Sequence, residues 1–273
     1  MEIAGLVVVV TGASAGIGRA TAEWLAERGA NVVLTARREA RLQDLAQEYR
    51  QWPGERLVIP GDIRDETFAR DLIHQTVDYF GRIDVLVNNA GLGHQSPIAE
   101  IPAADVRTIL ETNVLGLLYA TQTAVSYMKK QNSGQIINVS SIVGQQPLPN
   151  RGIYCASKTA VNFITRSLRM ELTNTPITVT LVYPGLTATE FGQARLGDKT
   201  NQTIARGVPA RRVAQAIGKA IQKRRTEVYV TPYDWLFVHL TRLFPRTADW
   251  IITQGMAFIT SRHQTAINNG GNP

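Results

Sequence analysis

The chain has a single cysteine, Cys155, among 273 residues, so no disulfide can close within it. Histidine is nearly as scarce, and a metal site would have to be gathered from four scattered side chains, His74, His94, His239 and His263, with carboxylates. A reducing compartment, a cytoplasmic location and no structural metal are therefore expected. Long apolar runs are missing as well. The opening MEIAGLVVVVTGAS carries an acid at Glu2, no basic leader, and an apolar stretch too short for a signal peptide or a membrane span. It reads as a buried strand.

Acidic residues are what the last quarter lacks. Residues 1–200 hold 19 basic and 19 acidic side chains, whereas residues 201–273 hold 10 basic and 3 acidic, so the entire net charge of +7 lies at the C-terminal end. A charge confined to the tail does not suggest nucleic-acid binding; it suits anionic lipid, an acidic partner or a solvated face.

What is present is an alternation. Leu6–Thr11, Asn31–Thr35, Arg56–Gly61, Asp84–Asn88, Gln135–Ser141, Ile177–Tyr183 and Glu227–Thr231 are short and mostly apolar at every position, as strands buried on both faces are. Between them, stretches such as GRATAEWLAERG and RRVAQAIGKAIQKR repeat apolar residues at three- and four-residue steps, and Gly29, Pro53 and Gly81 punctuate the ends. Repeated βα units predict an α/β fold, a doubly wound parallel sheet of about seven strands with helices on both faces. One domain over residues 1–232 is expected, with a C-terminal helical extension and tail over 233–273.

Within the first unit, VVVVTGASAGIGRA is a strand, a glycine-rich turn and a helix start. Gly12 allows the tight turn, Gly16 leaves room for a pyrophosphate, and Gly18 lets the helix pack on the strand, while the helix N-terminus offers free N–H groups to phosphate. Ser14 and Ile17 belong to the same predicted contact set. After the second strand, where a carboxylate would grip the ribose 2′-hydroxyl of NAD, the chain has Ala36, Arg37 and Arg38. Guanidinium groups form charge-assisted contacts with a 2′-phosphate, so NADP(H) is the expected cofactor and Arg37 its main contact.

In GIYCASK, Tyr154 and Lys158 stand four residues apart and share one face of a helix. Taken with Gly12, Gly16, Gly18, NNAG at Asn88–Gly91 and NVSS at Asn138–Ser141, this motif makes the chain resemble the short-chain dehydrogenase/reductase family over about residues 5 to 232. The resemblance implies a Rossmann-like fold, a carbonyl or alcohol substrate, a homodimer or homotetramer, and a catalytic tetrad of Asn113, Ser141, Tyr154 and Lys158. It also implies that Asp62 and Ile63 border the adenine, that Asn89, Ala90 and Gly91 run along the cofactor, and that Pro184, Gly185, Thr187 and Thr189 meet the nicotinamide. Ser141 lies thirteen residues before the tyrosine, as in the family, and side chains alternate along a strand, so Ser140 is expected to point elsewhere and bond locally.

By the same reading, Lys158 and the oxidised nicotinamide lower the phenol's pKa by about 3, which requires roughly 4 kcal/mol of differential stabilisation. The small residues between, including Cys155 as a buried filler, would leave room for substrate and cofactor. Residues 186–210 lack clean periodicity and are expected to form a mobile substrate lid. Residues 233–261 hold two apolar helical stretches split by Pro245 and too often interrupted by charge to span a bilayer; they suit a subunit contact, a cover for the substrate or peripheral membrane contact. The last residues, INNGGNP, read as disordered. Two other functions fit the motifs: reduction of carrier-linked 3-ketoacyl chains, with Lys129 and Lys130 docking an acidic carrier, and nonenzymatic NADP(H) sensing.

Overall fold

The structure, a computed structural model, describes residues 1–198 and 207–255. The first half of the sheet is built from β1 (Val7–Thr11), α1 (Gly16–Ala26), β2 (Asn31–Thr35), α2 (Glu39–Glu48), β3 (Arg56–Val58), α3 (Glu66–Phe80) and β4 (Val85–Asn88). A short β5 (His94–Gln95) follows, and α4 (Ala103–Leu110) runs through a π-helical turn at Glu111–Leu115 into α5 (Gly116–Lys130). Then come β6 (Gly134–Val139), α6 (Gly152–Glu171) and β7 (Ile177–Tyr183), a segment with β8 (Thr187–Ala188), α7 (Phe191–Ala194) and β9 (Leu196–Gly197), and finally β10 (Val208–Pro209), α8 (Ala210–Lys223), β11 (Glu227–Tyr229) and α9 (Pro232–Leu243). The chain is helical again over residues 245–255.

Seven strands pair in the order β11-β7-β6-β4-β1-β2-β3, all parallel. This is the expected Rossmann-like sheet. The direction of winding reverses between β1 and β4, and the crevice beyond their C-terminal ends is where such sheets take ligands.

The pleat explains why every position of these strands is apolar. Val8, Val10, Val32, Leu34, Val85 and Val87 point to one face, where they pack with Ala22 and Leu25 of α1, Leu42 of α2 and Ile217 of α8. Their neighbours Val9, Val33 and Leu86 point to the other, against Leu72 and Ile73 of α3 and Ala120 and Met128 of α5. The observed strands are a little shorter than expected at their ends. β3 stops at Val58, ahead of Pro60, which cannot donate to a ladder, and β6 stops at Val139, so Ser140 and Ser141 already belong to the loop.

A buried polar chain ties the sheet to the helices that carry the site. Asn88 Nδ2 donates to Thr121 Oγ1 and to Asn138 Oδ1, both at 2.9 Å, and Asn138 Nδ2 donates to Thr165 Oγ1 at 2.9 Å. Asn88 and Asn138 are register partners of β4 and β6, so these bonds also hold the strand ends level. On the opposite layer α1 and α8 approach closely: a Cβ on Gly218 would lie 2.1 Å from the Trp24 ring. Gly218→Val should overpack this contact and destabilise the fold by about 1–3 kcal/mol, read as a lower urea midpoint at unchanged slope.

Candidate active site

The loop after β1 has the form the glycines require. Gly12 adopts φ +67°, and a Cβ there would sit 2.9 Å from Ala90 Cα; a Cβ on Gly18 would sit 2.3 Å from the Gly12 carbonyl oxygen. The start of α1 is therefore pressed against the turn. Ala15, at the N-cap, provides no side-chain cap, and the first turn carries no acid. A concave backbone turn leading to an uncapped helix N-terminus fits a pyrophosphate. Ile17 packs toward the core from the same turn.

Asn89 has a structural role. Its side chain donates to the Thr11 carbonyl at 2.9 Å, and Thr11 Oγ1 accepts from the Asn89 and Ala90 N–H groups at 3.0 Å each. These bonds clip the β4 loop to the β1 loop. Gly91 faces Asn113 and Lys158: a Cβ there would be 3.2 Å from Asn113 Oδ1 and 3.5 Å from Lys158 Nζ.

At the end of β2 the two arginines differ. Arg38 donates to Ser14 Oγ through Nε (3.2 Å) and Nη2 (3.1 Å), and its Nη1 lies 3.4 Å from Glu190 Oε2, to which Arg41 Nη1 also donates at 2.9 Å. Arg37 is exposed and makes no hydrogen bond or ion pair among the described residues. Asp62 accepts from the Arg64 N–H (3.0 Å), Nε (2.9 Å) and Nη2 (2.6 Å). Burial pushes its carboxyl up, but the bonds from Arg64, with the field of Arg37, hold it below the usual carboxylate value. Ile63 is buried beside it, against Gly116 at the start of α5.

The four tetrad positions converge. Tyr154 and Lys158, one turn apart on α6, are 8% and 5% exposed. Lys158 Nζ donates to the Val139 carbonyl at 2.9 Å, at the very end of β6. Ser141 Oγ donates to the Pro184 carbonyl at 3.3 Å and makes a hydrogen bond to Tyr154, while Ser140 Oγ donates to Asn162 Oδ1 at 2.6 Å, on α6 and 22 residues away rather than locally. Asn113 lies in the π-helical turn. Its Oδ1 accepts from the Leu92 N–H at 2.7 Å, and its Nδ2 donates to the Leu92 carbonyl and to Ser157 Oγ, both at 2.9 Å. Ser157 in turn donates to the Tyr154 carbonyl at 2.7 Å.

Packing adds two features here. Ser157 is not merely small; it links Asn113 to the tyrosine's own turn, a role that the hydroxyl inside YCASK could have signalled. The protein's own groups also set the protonation of the pair before the charge of an oxidised nicotinamide is added. Burial pushes Tyr154 up to about 12, with Ser141 drawing it part of the way back, and burial pushes Lys158 down to about 8. In a dry site the cost of desolvating a charge outweighs the attraction expected across the turn, so both groups move toward their neutral forms. Burial likewise raises the Cys155 thiol, which leaves it a filler.

Residues beyond β7 cover this centre. Thr187 Oγ1 donates to the Gly185 carbonyl at 3.0 Å, Thr189 lies against Gly16, and the Phe191 ring centroid is 5.7 Å from that of Tyr154. The segment expected to be irregular contains two parallel pairings, Thr187–Ala188 with Val208–Pro209 and Leu196–Gly197 with His94–Gln95. Its remaining residues, 199–206, and the terminal INNGGNP lie outside the described residues. The extension folds back on the same region: Asp234 packs under Gly185, Arg242 donates to Gln145, and Gln146 donates to Asp249 at 3.3 Å. Among the described residues no helix is long and apolar enough to cross a membrane, and no group of three or more His, Cys, Asp or Glu is arranged to hold a metal.

A parallel α/β sheet with a glycine turn opening onto an uncapped helix, and a buried serine, tyrosine and lysine at its crevice, is an arrangement suited to an oxidoreductase. The profile of the short chain dehydrogenase family matches residues 6–200, and the chain belongs to that family. It is 37% identical over 195 residues to an uncharacterized oxidoreductase of Staphylococcus epidermidis, covering 69% of this chain and 84% of that one. An 11-beta-hydroxysteroid dehydrogenase A of Sesamum indicum is 35% identical over 263 residues, 92% of this chain and 75% of its own. A crystal structure of a short chain dehydrogenase/reductase from Burkholderia phymatum in complex with NAD superposes with a TM-score of 0.82 at 27% identity, over 90% of this chain and 96% of that one.

The depressed lysine has a consequence for stability. An unfolded lysine titrates near 10.4, so between about pH 8 and 10 the unfolded chain keeps a proton that folded Lys158 has released, and stability rises with pH across that window. Against Lys158→Met, the wild type should gain up to about 3 kcal/mol between pH 7 and 10 in urea unfolding. Parallel pH profiles would show that the amine is not desolvated.

Proposed function

We propose that this protein is an NADP(H)-dependent oxidoreductase interconverting a ketone or aldehyde and its alcohol, with Tyr154 exchanging the proton. The observation that carries the reading is the convergence of Tyr154, Ser141 and Lys158, all buried, beside Gly91 at the sheet's crevice. Gly12, Ser14, Gly16, Ile17 and Gly18 would hold the pyrophosphate, Arg37 and Arg38 the 2′-phosphate, Asp62 and Ile63 the adenine, and Asn89 to Gly91 with Pro184, Gly185, Thr187 and Thr189 the nicotinamide half. When bound, the dinucleotide supplies or accepts the hydride.

The chain's own residues serve the substrate oxygen. A phenol held up to about 12 keeps its proton at neutral pH, so Tyr154 is set to donate it to an oxygen gaining negative charge. Ser141 offers a second donor to that oxygen, already placed before charge develops. Lys158, anchored on Val139, would return a proton to the tyrosine, and Asn113, held by Leu92 and Ser157, would support a water-linked path to that lysine. The Phe191 ring over the tyrosine suits a lipophilic substrate, and the hydroxysteroid-named relative, matched over 92% of this chain, favours the same class.

The extension offers a reason why such a substrate would be met at a surface. α9 and the helical residues after it expose Tyr233, Leu236, Leu240, Leu243, Phe244, Trp250 and Ile251. With Arg242 and Arg246 beside them, these apolar side chains fit the interface of an anionic membrane, on a protein otherwise cytoplasmic. A homodimer or homotetramer is the other use of the same face.

Tyr154→Phe should lower turnover of lipophilic ketones by between about 10²- and 10⁴-fold, followed at the NADPH absorbance band, with NADPH affinity close to wild type. Retained turnover would remove the phenol from proton transfer. Anionic liposomes should co-float the full chain but not a Leu243→Glu, Trp250→Glu variant; equal flotation of the two would leave this face to subunit contact, read by light scattering.

A further inference from the structure

Three consecutive residues after β7 touch three different parts of the crevice. Thr189 packs on Gly16 of the phosphate turn, Glu190 reaches Arg38 and Arg41, and Phe191 lies over Tyr154. Only the middle contact is ionic. Both guanidinium groups meet one oxygen, Glu190 Oε2, and Arg38 divides itself between that carboxylate and Ser14 of the phosphate turn. An anion is thus already seated between the end of β2 and the first turn of α2, on a side chain that belongs to the covering segment. Arg41, first of all, and then Arg38 hold the Glu190 carboxyl below its usual value.

Resting on the NADP(H) reading above, we propose that Glu190 occupies the 2′-phosphate position on Arg38 and Arg41 and that a 2′-phosphorylated cofactor displaces it, so that phosphate recognition and the placement of Phe191 over Tyr154 are coupled. Arg41 is then a third arginine of the phosphate site, beside Arg37 and Arg38. The energetics allow the exchange. Glu190 and both arginines are about half exposed, where ion pairs contribute little, whereas a phosphate monoester brings up to two charges and three acceptor oxygens to the same fork. Free Arg37 can join the phosphate without breaking any bond of its own, while Arg38 and Arg41 only change partners. Once released, Glu190 no longer tethers Phe191, its neighbour in sequence, and the cover over the tyrosine loosens when the phosphorylated cofactor has arrived. A cofactor lacking the phosphate leaves the tether in place.

Two cofactor fragments test this on the full chain without turnover, 2′,5′-ADP and 5′-AMP, by calorimetric titration of wild type, Glu190→Gln and Arg41→Ala. Glu190→Gln should bind 2′,5′-ADP about five-fold tighter, as expected for loss of two exposed ion pairs that compete with it, and 5′-AMP unchanged. Arg41→Ala should weaken 2′,5′-ADP and not 5′-AMP. Amide hydrogen exchange over residues 187–197 should rise on adding 2′,5′-ADP but not 5′-AMP, and should already be raised in Glu190→Gln. If wild type prefers 2′,5′-ADP and Glu190→Gln binds it equally or more weakly, Glu190 is not a competitor and the coupling falls while the NADP(H) reading stands. If wild type shows no preference between the fragments, the NADP(H) reading fails and this inference with it.

Discussion

Burying an amine is the constraint around which this site is organised. Lys158 sits 5% exposed with one acceptor, the Val139 carbonyl, and its pKa falls to about 8. An ammonium so placed destabilises the fold, because its desolvation is not matched by a carboxylate nearby. The surrounding architecture holds it there. Ser140 accepts no freedom either: it bonds the Lys158 carbonyl and Asn162, and Asn162 bonds the Gly144 carbonyl, so the turn after β6 and the first half of α6 are laced together. Tyr154 inherits its position from that lacing.

The same logic explains the polar chain through Asn88, Thr121, Asn138 and Thr165. Buried amides are costly unless satisfied, and although Asn88 Oδ1 finds no partner among the described residues, the remaining bonds hold two strand ends level at the edge of the crevice. Small errors in strand register would move Ser141 and Tyr154 relative to Gly91, and the phosphate turn relative to both. The Thr11 hydroxyl, bonding the backbone of Asn89 and Ala90, does for β1 and β4 what Asn88 and Asn138 do for β4 and β6.

Above the crevice the covering segment and the extension are joined to the site by two short backbone pairings, an aromatic contact, exposed ion pairs and single hydrogen bonds to Gln145 and Gln146. Interactions of this kind exchange readily with a ligand's. A rigid floor of backbone and buried amides beneath a loosely tied cover is what a site needs if it must fix one proton donor and still admit a bulky substrate.

By itself the sequence determined the sheet, since short strands apolar at every position can only be buried on both faces, and it determined the phosphate turn, since Gly12 and Gly18 stand where backbone meets backbone. It also brought Tyr154 and Lys158 onto one face, because a four-residue step is local geometry. The family spacing alone singled out Ser141, because β6 ends at Val139 and both serines lie in the loop beyond it. What it could not reveal were contacts between segments distant along the chain. Asn89 carries no hint of its bond to Thr11 until the two loops meet, Ser157 reads as a spacer until Asn113 arrives, and Glu190 has no meaning until Arg38 and Arg41 stand opposite. The protonation of the pair was decided in the same way. Spacing says that an amine neighbours a phenol, but the pKa of each depends on how much water the fold removes, and that is a property of packing from every side at once.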